Sequence, residues 1–249
     1  MTNDRDYTDP ASVDLEKVQP LPGLGSGLEQ APFPSLFFST KSRVWGDKSG
    51  KSWEPDVKEF KSGGLKEKTL SREGYRCMFC GFHSSHNQVH NVSDNHQDVR
   101  EVNLKAVDVI CHGWNHLGEL NDGEAVIAYL PGVSPQDINH LQRTLMVALQ
   151  IGDKEQQADA KKLLNWLGSH MTYAKNAWGT CSPAVFAQAL LRQDGSEKER
   201  REAVFEDLAV VFNPGPMNKV AALWAREYQV SYPSTKWREV FHGVINPPA

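Results

Sequence analysis

Between positions 77 and 116 the 249-residue chain carries three of its four cysteines (Cys77, Cys80, Cys111) and six of its nine histidines (His83, His86, His90, His96, His112, His116). This crowding constrains the fold more than any hydrophobic pattern does, because thiolates and imidazoles gathered in so short a span are a ligand supply for a metal ion. The N-terminus, Met1-Thr2-Asn3-Asp4, has neither a basic start nor an apolar stretch of the secretory kind. A cytoplasmic chain is therefore expected, and in that compartment cysteines bind metals more often than they form disulfide frameworks.

Cys77-Met78-Phe79-Cys80-Gly81 reads as a metal knuckle. Two thiolates three positions apart can face one cation at Zn–S distances of about 2.3 Å while the glycine turns the backbone back. Cys111 supplies a third sulfur, and one structural zinc is the expected cofactor. For the fourth ligand His116 is favoured over His112, because a residue adjoining Cys111 rarely faces the same small ion. His83, His86 or the absence of a fourth protein ligand remain open. A site filled in this way has no vacant position, so its work is folding and not hydrolysis. The plainer alternative, three merely buried thiols, leaves the histidine crowding unexplained. Cys181 stands apart as an ordinary thiol. A separate catalytic metal is also conceivable, since His90, Asp94, His96 and Asn103 lie between Cys80 and Cys111, and a histidine base beside a held Mg²⁺ is nuclease machinery.

With 39% hydrophobic and 23% charged residues the chain reads as one or two globular domains. A net charge of −4 and a pI of about 6.1 speak against a protein that coats nucleic acid. No apolar run approaches the roughly 20 residues that span a membrane. Residues 1–32 are expected to be a disordered tail. Phe33–Phe38 with Val44-Trp45 should enter the fold as a first strand region. The stretch from Lys41 to Arg76 is basic and aromatic-rich, a solvated face or else a nucleic-acid or partner patch. Short strands are expected at Asn87–Val92, at Val107–Ile110 running into Cys111, and at Ala125–Leu130. Thereafter the pattern is helical. Ser134-Pro135 starts a helix with Ile138, Leu141, Leu145 and Leu149. A second holds Leu164, Leu167 and Met171, and Ser182-Pro183 starts a third with Val185, Phe186, Ala189 and Leu190. A capping box at Ser196 and Glu199 opens a fourth with the stripe Val204, Leu208 and Val211. Asn213-Pro214-Gly215-Pro216 ends that one, and a last carries Val220, Leu223, Trp224 and Tyr228. The expected class is thus α+β: a zinc module over 33–133 with a few short antiparallel strands, then a mostly helical region over 134–249 packed on it.

The order Tyr75-Arg76-Cys77-Met78-Phe79-Cys80-Gly81-Phe82, Asn103-Leu104, Val109-Ile110-Cys111-His112 and Tyr129-Leu130-Pro131 resembles the ββα-metal, or HNH-type, zinc module. More closely it is similar to the IcmJ/DotN family of type IVB secretion and conjugative transfer systems. The similarity resumes at Ser182-Pro183-Ala184-Val185-Phe186 and at Ala222-Leu223-Trp224-Ala225. This resemblance implies a catalytically silent adaptor with structural zinc, docked on the C-terminal tail of the coupling ATPase together with other coupling-complex subunits. It also implies a cytoplasmic location held at the inner membrane through that partner. Cys77, Cys80 and Cys111 match the family's ligands, whereas a cysteine of its second pair falls on Trp114. Active HNH enzymes would place His90, Asn103 and His112 in catalysis, but His90 is followed by Asn91 without the usual adjoining His or Asp.

Overall fold

The computed structural model describes residues 33–39, 64–93, 98–192, 205–231, 233–239 and 242. The expected tail, Val44-Trp45 and most of the basic stretch lie outside them, as do Asp94 and His96. The chain divides into Met1–Pro34 and Ser35–Ala249, and the second unit holds every element named below. Residues 35–39 form no strand. They run as irregular backbone with Leu36 buried, and Ser39 donates its N–H to the Trp114 carbonyl at 2.9 Å.

The architecture is α+β, with short antiparallel strands and a largely helical C-terminal half. A helix, α1 (Gly64–Arg72), precedes the cysteine knuckle. Strand β1 (Gln88–Asn91) then pairs antiparallel with β2 (Leu104–Val107), setting Val89 opposite Ala106 and His90 opposite Lys105. Helix α2 (Val109–Asn115) follows at once. The expected strand through Ile110 therefore stops at Val107. Asp108, with ψ 145°, is the last extended residue before the helix. A run of apolar residues is ambiguous between a buried strand and a buried helix face, and here Ile110, Cys111 and Trp114 recur on the covered side of a helix.

Strand β3 (Ala125–Tyr129) pairs antiparallel with β4 (Leu208–Phe212), Ile127 lying opposite Val210. This corrects the helical stripe expected at Leu208 and Val211. All five residues of β4 are buried, and Leu-Ala-Val-Val-Phe is the β-branched, aromatic composition of a strand covered on both faces. The turn expected at Asn213-Pro214 to close that helix instead opens another, α7 (Pro214–Ser231). Proline fits the first helical turn because no intrahelical acceptor awaits its missing N–H, and the Asn213 side chain accepts from the Gly215 N–H at 3.0 Å.

Helix α3 (Pro135–Ile151) begins as its sequence indicates, Ser134 accepting from the Asp137 N–H at 3.1 Å. Ile138 and Leu145 face the core, while Leu141 is exposed. Helix α4 (Lys154–Ser169) is opened by a capping box between Asp153 and Gln156 and buries Leu164 and Leu167. Met171 starts a separate helix, α5 (Met171–Trp178), in place of closing α4. Helix α6 (Pro183–Leu191) buries Phe186 and Leu190. Among the described residues no helix is long and apolar enough to cross a membrane.

Two contacts fix the second sheet against the helices that carry the site. Gly113 of α2 lies so close to β4 that a Cβ there would stand 2.6 Å from the Phe212 ring. Gln142 of α3, fully buried, donates to the Val210 carbonyl at 2.9 Å and accepts from the Phe212 N–H at 2.8 Å. One side chain thus satisfies both orphan groups on the open edge of β4. Gln142→Leu is expected to lower stability by about 2–4 kcal/mol, since two buried backbone groups lose their partners at roughly 1–3 kcal/mol each. Urea unfolding checks this, and an unchanged midpoint would mean that the edge finds other partners.

Candidate metal centre

The knuckle is built by the backbone. Cys77 donates its N–H to the Phe82 carbonyl at 2.9 Å and accepts from the Gly81 N–H at 2.8 Å. Gly81, with φ 70°, takes the left-handed conformation that closes the turn without a Cβ penalty. Met78 ties the loop to β2 through the Ala106 carbonyl at 2.9 Å. Cys111 arrives from the first turns of α2. The sulfurs of Cys77, Cys80 and Cys111 all lie within 4.8 Å of one another, and all three residues are buried. Such a trio could hold a metal. Without a cation its thiols share charge: hydrogen bonds from Cys111 and Cys80 bring the Cys77 thiol down to about 4, and the same bonds with burial push Cys111 well up. A divalent ion would replace that sharing by deprotonating all three.

Helix α3 presents a polar face to these sulfurs. Asn139 donates its amide to Cys111 Sγ at 3.3 Å and accepts from the Trp114 indole N–H at 3.1 Å. Arg143 reaches to 3.7 Å from Cys80 Sγ, pairs with Asp108 at 2.6 Å, and covers the Phe82 ring at 3.8 Å. Burial pushes the Asp108 carboxyl up against the pull of Arg143. Burial would lower Arg143, yet Asp108 and Cys80 hold it above its ordinary value. None of Asn139, Arg143 and Asp108 stands out from sequence. The available signal was polar residues at core positions of a helix, since Asn139, Gln142 and Arg143 share the periodicity of Ile138, Leu145 and Met146. The far side of the knuckle is held by α7. Glu227 accepts from Ser84 Oγ at 2.6 Å and the Ser85 N–H at 2.9 Å, and Tyr228 stacks on Phe82 at 5.5 Å.

His116, expected to complete the sulfur site, stands elsewhere. It caps α2 and joins His112, one helical turn earlier, and His90 of β1, and the three imidazoles have ring nitrogens within 4.8 Å of one another. Their ring centroids are 4.3 Å apart for His112 and His116 and 5.4 Å for His90 and His112. The Gln88 amide oxygen lies 2.5 Å from His112 Nδ1, and Glu119 lies 3.7 Å from His116 Nδ1. A hydrogen bond such as that of Gln88 fixes an imidazole tautomer so that the other nitrogen can face a cation. The adjacent residues 111 and 112 thus serve two different clusters. His83 is exposed beside Tyr75, and His86 lies 3.9 Å from Glu227, so neither joins the sulfurs. Asn103 braces the loop after β1: its amide donates to Asp98 O at 2.8 Å and Asn91 Oδ1 at 3.0 Å, and its oxygen accepts from the Ser93 N–H at 2.8 Å. Cys181 is half-buried and remote from both groups in sequence.

No family model matches the chain. Over 172 residues, covering 67% of this chain and 79% of the relative, it is 24% identical to the Type 4 apparatus protein DotN of Legionella pneumophila subsp. pneumophila strain Philadelphia 1. Over that span the chain is similar to DotN. That likeness supports the IcmJ/DotN resemblance carried by the knuckle, the Asn-Leu and the later Ser-Pro-Ala-Val-Phe. Trp114, where the resemblance leads one to expect a further cysteine, is a buried core ring packed 5.0 Å from Phe38 and bonded to Asn139.

Proposed function

We propose that this chain is a non-enzymatic adaptor subunit of a type IVB secretion or conjugative coupling complex, folded around one structural zinc at Cys77, Cys80 and Cys111, and that it binds the cytoplasmic tail of the coupling ATPase. The observation that carries this reading is the likeness to a Type 4 apparatus protein over 79% of that protein's length. The buried thiol trio supports zinc, since softness and spacing suit that ion. A coupling partner at the inner membrane would hold the adaptor there without an inserted helix. Co-expression with the C-terminal tail of the cognate ATPase should give a complex that survives gel filtration. Two proteins that elute separately at micromolar concentration would reject the assignment.

The surface best suited to such a tail lies on α4 and α5. Trp166 and Tyr173 are half exposed, His170 packs between them, and Leu163 and Met171 extend the patch. Exposed aromatics gathered in this way are typical binding anchors. The double variant Trp166→Ala/Tyr173→Ala is expected to weaken tail binding by at least about tenfold while leaving the unfolding midpoint nearly unchanged. Calorimetric titration checks it, and full affinity in the variant would move the docking surface elsewhere.

The histidine trio favours a second reading, an HNH-type metal-dependent endonuclease with His90 and His112 at the metal and Asn103 bracing the loop. Against it, the residue after His90 is Asn91, a neutral amide already engaged with Asn103 and unable to take a proton. Plasmid DNA incubated with Mg²⁺, Mn²⁺ or Ni²⁺ is expected to stay supercoiled. Nicking that disappears in His90→Ala would establish the enzyme instead.

A further inference from the structure

Among the described residues no fourth histidine, cysteine or acidic ligand atom joins the three sulfurs within 4.8 Å. His140 is near, but both its nitrogens are engaged. Arg143 Nη1 lies 3.0 Å from His140 Nδ1, and a guanidinium only donates, so Nδ1 accepts. The remaining Nε2 then carries the proton and points at the Cys80 carbonyl, 3.0 Å away. Asn139 is likewise occupied as a donor to Cys111 Sγ.

Asp108 is different. Its side chain is wholly buried, its Oδ2 is held by Arg143 at 2.6 Å, and its Oδ1 has no hydrogen-bond partner. It precedes α2 as N-cap yet makes no side-chain cap bond. Asp108 and Cys111 stand at the N-cap and third positions of one helix, so both belong to its first turn. A buried carboxylate oxygen outside any side-chain hydrogen bond is costly. A cation removes that cost.

We infer that Asp108 Oδ1 is the fourth donor of the thiol site, making it a three-sulfur, one-oxygen centre whose outer charge is balanced by Arg143. Ligation requires the carboxylate to turn onto the ion, because it lies outside the 4.8 Å sulfur group. The inference rests on the zinc reading of the preceding section. It adds that the tetrahedron is closed by an acid from the strand-to-helix junction and not by an imidazole.

X-ray absorption at the zinc edge on the purified, zinc-loaded chain tests it directly. The expected shell is three sulfurs at about 2.3 Å and one oxygen at about 2.0–2.2 Å. Asp108→Cys should convert it to four sulfurs. Asp108→Asn should weaken zinc binding by at least about tenfold, since losing even an outer partner costs that much. A wild-type shell of three sulfurs and one nitrogen, or an oxygen that persists with unchanged affinity in Asp108→Asn, would overturn the assignment while leaving structural zinc intact. A chain that binds no zinc at all would instead reject the zinc reading itself.

Discussion

Cys80→Ser is expected to lose its metal and to unfold at least about 10 °C below the unsubstituted chain, taking about 2–4 °C per kcal/mol for a domain of this size. A structural zinc contributes binding energy that is folding energy, of order 10 kcal/mol in peptides that have no other core. Here a large part of the fold is held by β3, β4 and the helices, so a smaller share of that energy depends on the ion. Differential calorimetry with and without a chelator separates the effects. The unsubstituted chain should fall to the variant's midpoint when chelated, and the variant should not respond. Equal midpoints in all four conditions would mean that the thiols are simply buried core.

Arg143→Met should cost about 3–5 kcal/mol, the range for breaking one partner of a buried ion pair. Methionine keeps much of the contact with Phe82, so the loss falls on charge and not on volume. The variant leaves the fully buried Asp108 carboxylate without its cation and removes the guanidinium nearest Cys80 Sγ. Metal affinity should drop with stability, because the same guanidinium balances the thiolates. Denaturant midpoints measured with saturating zinc and with chelator would show both losses. A variant as stable as its parent would mean that Asp108 is protonated in the fold and the pair is an ordinary hydrogen bond.

Much of the fold was legible where local chemistry decides it. Ser134-Pro135 opened α3, and Ala125–Tyr129 formed a strand because its composition left little else. The knuckle residues met as their spacing required. What was not legible depends on partners far away in sequence. Leu208 and Val211 fit a helical stripe by periodicity, and only the pairing of β4 with β3, some eighty residues earlier, makes them a strand. The run Val107–Ile110 reads as extended because it is largely apolar, yet the helix starts at Val109. Asn213-Pro214 carries a break and a start in the same residues, and the side on which the helix lies is not local information. At the site, the i to i+4 relation of His112 and His116 was on the page, but His90 joins them only through the β1–β2 hairpin. His116 follows Cys111 by five residues, and at about 100° per residue the helix carries those two side chains to different faces, whereas the four-residue step from His112 keeps the imidazoles together.

The claim that a metal-stabilised adaptor binds the coupling ATPase tail is tested most directly by native mass spectrometry of the chain co-expressed with that tail. The expected result is an equimolar complex whose mass includes zinc that survives buffer exchange and is lost with Cys80→Ser. A free chain, metal-free and folded, in the presence of excess tail would contradict it.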